Sequence, residues 1–314
     1  MRVAEKKVDI IVPIYNKSEY MINLLDEFSK YSTSLFNIIL VDDGSTDNSV
    51  DLIRYYIENN KFDNIYLFTK KNGGVSSARN LGISKSKSKY VWFFDPDDKP
   101  YNNVLEIIDL KEELTADVLV FNYIIKNIKK NTVKEFIFDS YCELSGLEFM
   151  EQYNYFSEKN NMSYIWNKLY KRDVLQEVFF KEGVNLSEDR RFNLEVFSKK
   201  ITVKIINKKM YIYHVYGENT LSSVLNEKNI KDIYDTNLIN LKFLKFNRKY
   251  CKKHILDQIF LRKKSNENLY LFYKQEHHNL NIKILPWLSI KEVIVFILII
   301  LNIHKILFKF YVKV

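Results

Sequence analysis

Five short apolar runs punctuate the first 125 positions: VDIIVPIY (8–15), FNIILVD (36–42), NIYLFT (64–69), YVWFFD (90–95) and DVLVFNY (117–123). They are rich in β-branched and aromatic residues, and the apolar positions follow one another without alternation. That is the pattern of strands buried on both faces of a mainly parallel sheet. Stretches with helical spacing lie between and after them, near 19–31, 47–60, 75–87 and 101–114. NKSE (16–19) and STDNS (45–49) supply capping side chains and first-turn acids at the starts of the first two helices. Regular alternation of strand and helix predicts an α/β protein: an open, twisted, Rossmann-like sheet with helices on both faces. Further on the pattern is less regular, with strands expected near 132–138 and 202–216 and a helix from Ser187.

Ligands of such sheets bind beyond the carboxyl ends of the strands. Four polar motifs fall there: VPIYN, VDDGSTD, KNGGVSSARN and FFDPDD. Asp95, Asp97 and Asp98 form a cluster of hard oxygen ligands suited to Mg2+ or Mn2+, although Asp and Pro also make ordinary polar turns. In VDDGSTD, Ser45 to Asp47 read as a helix start. Asp42 and Asp43 remain, and a carboxylate there can accept the imide N–H of a uracil ring on which Tyr15 stacks. Gly73 and Gly74 permit close backbone approach to phosphate at a helix start, and Arg79 can brace either a diphosphate or an Asp.

Together these motifs resemble glycosyltransferase family 2, the inverting nucleotide-sugar transferases of GT-A fold that include bacterial surface-polysaccharide enzymes. The resemblance continues through YIWNKLYKRDVL (164–175), LSEDRRFN (186–193) and MYIYHVYGENTLSS (210–223). It implies a UDP-sugar donor contacted by Pro13, Tyr15, Asn16, Asp42, Asp43, Gly74, Arg79 and Asp95. It implies Mn2+ or Mg2+ at Asp95 and Asp97, with Asp98 near the metal. It implies Asp189 as catalytic base with Glu188 beside it. Trp166, Lys168 and His214 fall on the acceptor side. Trp166 can equally fill the core, and His214, where relatives often carry Arg, reaches the metal or diphosphate or is simply structural. The acceptor implied is a glycan hydroxyl, with a lipid-linked glycan fitting best. A degenerate nucleotide-sugar-binding or scaffold protein is the alternative reading.

Charge separates two regions. Residues 228–314 hold 17 Lys/Arg against 6 Asp/Glu, whereas residues 1–227 hold 31 against 33. The expected organisation is a transferase domain over 1–227, with a donor half to about 125 and an acceptor half after it, followed by a basic helical region. In 289–313 the longest apolar run is nine residues (293–301), too short to span a bilayer as a helix. Lys291, Asn302, Lys305, Lys309 and Lys313 share one stripe of that helix, and the remaining circumference is apolar. Such a helix lies in the interface of an anionic membrane. A nucleic-acid-binding role for the basic region is the less favoured use of the same charge. The N-terminus enters a strand without an apolar leader, and Cys142 and Cys251 have no metal-like spacing. The expectation is a cytoplasmic protein held peripherally on the inner face of the cell membrane.

Overall fold

The computed structural model describes residues 7–30, 35–102, 115–138, 140–152, 163–184 and 186–216, with isolated positions Asp232, Asp235 and Ile239. The chain forms two compact units, Met1–Thr220 and Leu221–Val314. Most of the helix expected over 101–114, and the amphipathic helix expected over 289–313, lie outside the described residues. Among the described residues, no helix is long and apolar enough to cross a membrane.

The first unit is built on one mixed sheet. In chain order its strands are β1 (Val8–Ile14), β2 (Phe36–Asp42), β3 (Ile65–Thr69), β4 (Tyr90–Phe93), β5 (Lys99–Pro100), β6 (Val118–Asn127), β7 (Thr132–Phe136), β8 (Glu143–Ser145), β9 (Lys168–Lys171) and β10 (Thr202–Val215). Their spatial order is β3-β2-β1-β4-β9-β6-β10-β5, with β7 paired to β6 and β8 to β10. β1, β2, β3 and β4 are mutually parallel, as the continuous apolar runs predicted, and every residue of β1 is buried. Helices α1 (Ser18–Ser29), α2 (Ser49–Asn60) and α3 (Val75–Lys85) connect them. α4 (Gly146–Glu151) and α5 (Glu188–Phe197) follow later in the chain. α3 crosses β1 so closely that a Cβ on Gly82 would stand 2.3 Å from the Ile11 side chain, which explains a glycine inside a helix.

β9 was not foreseen. It lies antiparallel between β4 and β6, so β6 again runs in the direction of β4. β6 and β10 are parallel to each other, which brings their carboxyl ends to the edge already occupied by the ends of β1, β2 and β4. An aromatic stack supports that edge from beneath. Trp166 lies face to face with Tyr211 (ring centroids 4.4 Å apart) and with Tyr164, and its carbonyl accepts the indole N–H of Trp92.

Candidate active site

β1 and β2 end side by side, with the Asp43 N–H donating to the Ile14 carbonyl. Beyond β1, Pro13 is buried in the strand, while Tyr15 is 47% exposed on the rim. Asn16 takes the left-handed conformation (φ 53°), and its side-chain oxygen accepts the Thr46 N–H at 2.8 Å. It therefore ties the end of β1 to the loop that starts α2. Asp42 folds back on its own turn by accepting the N–H groups of Gly44 and Ser45. The buried Asp43 carboxylate accepts from the Lys70 ammonium at 2.7 Å, from the Gly74 N–H at 2.7 Å and from the Gly73 N–H. The glycine amides at the start of α3, expected to face phosphate, are thus turned onto Asp43.

The acidic segment after β4 resolves into unlike parts. Asp98 is 3% exposed. Its Oδ2 accepts the Tyr211 hydroxyl at 2.6 Å and its Oδ1 accepts the His214 N–H at 2.7 Å. Asp98, expected near the metal, thus has both its oxygens held by β10 and fixes the loop. Burial pushes its carboxyl well above the usual range, as does the neighbouring Asp95, against the pull of those two donors. Asp97 is part-exposed and pairs with Lys17 at 2.7 Å. Its carbonyl receives the Tyr216 hydroxyl and lies 3.2 Å from His214 Nδ1, which carries the proton because a carbonyl only accepts. His214 is thus a loop brace, with its pKa lowered by burial.

Arg79 joins the acidic loop to α5. Its side chain is 5% exposed, and Nη1 lies 2.8 Å from Asp189 and 3.3 Å from Glu188, while Nη2 lies 3.4 Å from Asp95. Arg79, expected to brace a diphosphate or an Asp, contacts three acids. Burial alone would lower its pKa, but Asp189, Asp95 and Glu188 together raise it. Glu188 and Asp189 occupy the first turn of α5, where the helix dipole favours negative charge. Desolvation nevertheless drives the Asp189 carboxyl well above its ordinary range; Arg79 pulls it down, while Glu188 and Asp95 push it further up.

Two acceptor-side expectations end in the interior. Trp166 is 2% exposed within the aromatic stack, so it packs the core and presents no face to a sugar. Lys168 is fully buried, donating to the Tyr164 carbonyl and the Asn167 side chain. Desolvation lowers its pKa to about 7, against the field of Asp189. Lys17 and Tyr211 are the site residues that sequence reasoning missed. Each acts on an acid far away in the chain; Tyr211 lies in the MYIYHVYGENTLSS segment that carries the resemblance, but nothing local to it marks Asp98 as its partner.

Five carboxyls gather here, Asp95, Asp97, Asp98, Glu188 and Asp189, and among the described residues Arg79 and Lys17 pair with them. Asp95 is raised by burial and by Asp97 despite Arg79. An excess of hard oxygen donors, two of them part-exposed on one loop, fits a divalent cation. Among the described residues no group of three or more acids, histidines or cysteines is placed to hold a metal ion by itself.

The sequence model of Glycosyl transferase family 2 matches residues 9–179. The uncharacterised glycosyltransferase EpsJ of Bacillus subtilis is 29% identical over 220 residues, which cover 69% of this chain and 63% of EpsJ. Glycosyltransferase GlyG of Streptococcus pneumoniae is 30% identical over 218 residues, covering 66% of this chain and 70% of GlyG. The chain thus spans less than two thirds of EpsJ. Among solved structures, S. aureus TarS 1–349 in complex with UDP-GlcNAc superposes with a TM-score of 0.61 at 20% identity, covering 87% of this chain and 77% of TarS 1–349. That likeness gives the fold, a GT-A type sheet. With a family match over more than half its length, on a sheet whose strand ends carry the family's acidic motifs, the chain belongs to glycosyltransferase family 2.

Proposed function

We propose that the protein transfers a sugar, with inversion, from a UDP-sugar to a hydroxyl of a glycan acceptor carried on a membrane lipid. The observation that carries this reading is Arg79, one guanidinium in contact with both Asp189 and Asp95. It keeps a carboxylate that can accept a proton within reach of the acidic loop that receives the diphosphate, while leaving the two as separate groups. The UDP-GlcNAc held by TarS supports the donor class.

Tyr15, exposed at the end of β1, offers its ring to the base, and Asn16 and Asp43 shape the pocket floor. As the acceptor oxygen approaches the anomeric carbon, Asp189 takes its proton, and the C–O bond to the diphosphate breaks on the opposite face. A carboxyl whose affinity for protons is raised by burial is a stronger base than a solvated one. Arg79 favours its ionised form and orients it. Asp95 and Asp97 would hold Mn2+ or Mg2+, which when bound would offset the charge developing on the departing UDP. Residues 228–314 carry the positive charge that would keep the enzyme at the inner membrane face.

The test is a panel of sugar nucleotides read by release of free nucleotide, with and without Mn2+, for wild type and Asp189→Asn. Wild type should turn over one UDP-sugar in a metal-dependent way. Asp189→Asn should bind that donor normally and lose transfer by roughly two orders of magnitude or more, the worth of a general base. Transfer at the wild-type rate would remove Asp189 from that role.

A further inference from the structure

β6 and β7 form a hairpin that projects from the same sheet edge as the site. Its turn end is tied to the strand that braces the acidic loop: Lys126 pairs in register with His214, and the Ile128 N–H donates to the Val215 carbonyl at 2.9 Å. The tip is a defined turn. The Asn127 side chain accepts the Lys130 N–H at 2.7 Å, and Asn131 takes the left-handed conformation (φ 48°).

One face of the hairpin is committed to the core, with Tyr123 and Phe136 stacked 4.7 Å apart. The other face is outward and exposes aliphatic side chains among charged ones. Val133 is 61% exposed, Ile137 44%, and Ile128 at the tip 43%. Lysines stand beside them: Lys126 faces Val133 across the strands and Lys129 and Lys130 occupy the turn; all three are exposed and none is paired with an acid among the described residues, while Lys134 turns to the other face, over the Phe136 ring. The acid of the hairpin, Glu135, is taken by Lys209. Aliphatic side chains exposed together beside lysines, rimmed by polar residues, mark an interaction surface.

We propose that this hairpin is a membrane-contact element that seats the active-site edge on an anionic bilayer. Charge complementarity selects an anionic partner, and the aliphatic side chains select a lipid surface, since a soluble polyanion gains nothing from Val133 or Ile128. Lysines reach the headgroups while the branched side chains enter the boundary with the acyl chains. The site then opens where a lipid-borne acceptor emerges. The proposal deepens the membrane reading of residues 228–314 but uses different residues, so the two can fail separately.

The test uses the full chain with Ile128→Trp in a Trp287→Phe background, because Trp92 and Trp166 are buried and do not report on lipid. Vesicles of phosphatidylcholine with and without phosphatidylglycerol are added, and Val133→Trp serves as a second probe position. The expected result is a blue shift with anionic vesicles and quenching by brominated lipid. In the otherwise native chain, Lys126→Gln/Lys129→Gln/Lys130→Gln should weaken vesicle binding roughly fivefold per lysine, on the order of a hundredfold in all. Flotation of the protein with both probes silent would overturn the hairpin while sparing the C-terminal reading. No flotation at all would overturn both. A shift caused equally by soluble polyphosphate, or by protein concentration without lipid, would assign the face to a polyanion or to a second copy of the chain instead.

Discussion

Replacing Tyr211 by Phe removes one oxygen atom and tests the claim that β10 holds the acidic loop in place. The hydroxyl donates to Asp98 Oδ2 at 2.6 Å and accepts the Asp95 N–H at 3.1 Å, and the residue is fully buried. A hydrogen bond to a carboxylate contributes about 1.5–3 kcal/mol, and an amide left unsatisfied in the interior costs about 1–3 kcal/mol. The ring contacts with Trp166 and Phe94, at 4.4 and 4.6 Å between centroids, survive the change. The expected loss is therefore about 3 kcal/mol, with little from packing. Urea unfolding followed by tryptophan fluorescence measures it, since Trp92 and Trp166 both neighbour the Tyr211 ring. A double-mutant cycle with Asp98→Asn should give a coupling of at least about 1 kcal/mol. A Phe variant within about 0.5 kcal/mol of wild type, at unchanged denaturant dependence, would show that the loop does not depend on this bond.

Gly82→Ala forces a methyl group to 2.3 Å from Ile11 and should destabilise the first unit by about 1–3 kcal/mol, as overpacking does, measured in the same urea titration; wild-type stability would mean that α3 shifts freely on β1. Asp47 is pushed upward by burial, but hydrogen bonds from Ser49 and Ser18 outweigh this and lower it to about 2. Its unfolded value is higher, so its contribution is complete above about pH 4 and is lost as pH falls from about 4 through 2. Asp47→Asn should flatten that part of the stability curve, and an unchanged acid limb would refute the assignment.

The donor half was legible because each buried parallel strand is a continuous apolar run, and pattern alone locates it. β1 to β4 fall where their runs predicted. β9 escaped because it is four residues long, antiparallel and begins with the buried Lys168, so neither alternation nor continuity marks it. The site was legible as a set of residues but not as a set of roles. The resemblance puts the D-x-D role on Asp95 and Asp97 and leaves Asp98 nearby without a role; the arrival of Tyr211 and His214, more than a hundred residues later, makes it a brace. Arg79 was open between two kinds of partner because a helix position does not say what stands opposite it. Trp166 looked like a sugar platform or a core residue for the same reason, and the neighbouring rings of Tyr164, Tyr211 and Tyr213 make it core.

The turn after β4 is stitched at both ends and along its length. β4 precedes it in the parallel sheet, β5 follows it against β10, and Tyr211, His214, Tyr216 and Lys17 hold its interior. An extra residue anywhere between Phe93 and Lys99 would break the pairing on one side or the other. This segment is therefore closed to insertion, and its length should be shared by any relative that keeps the same sheet. Divergence in which sugar is moved, and onto what, has to be written into longer and less constrained connections elsewhere in the chain.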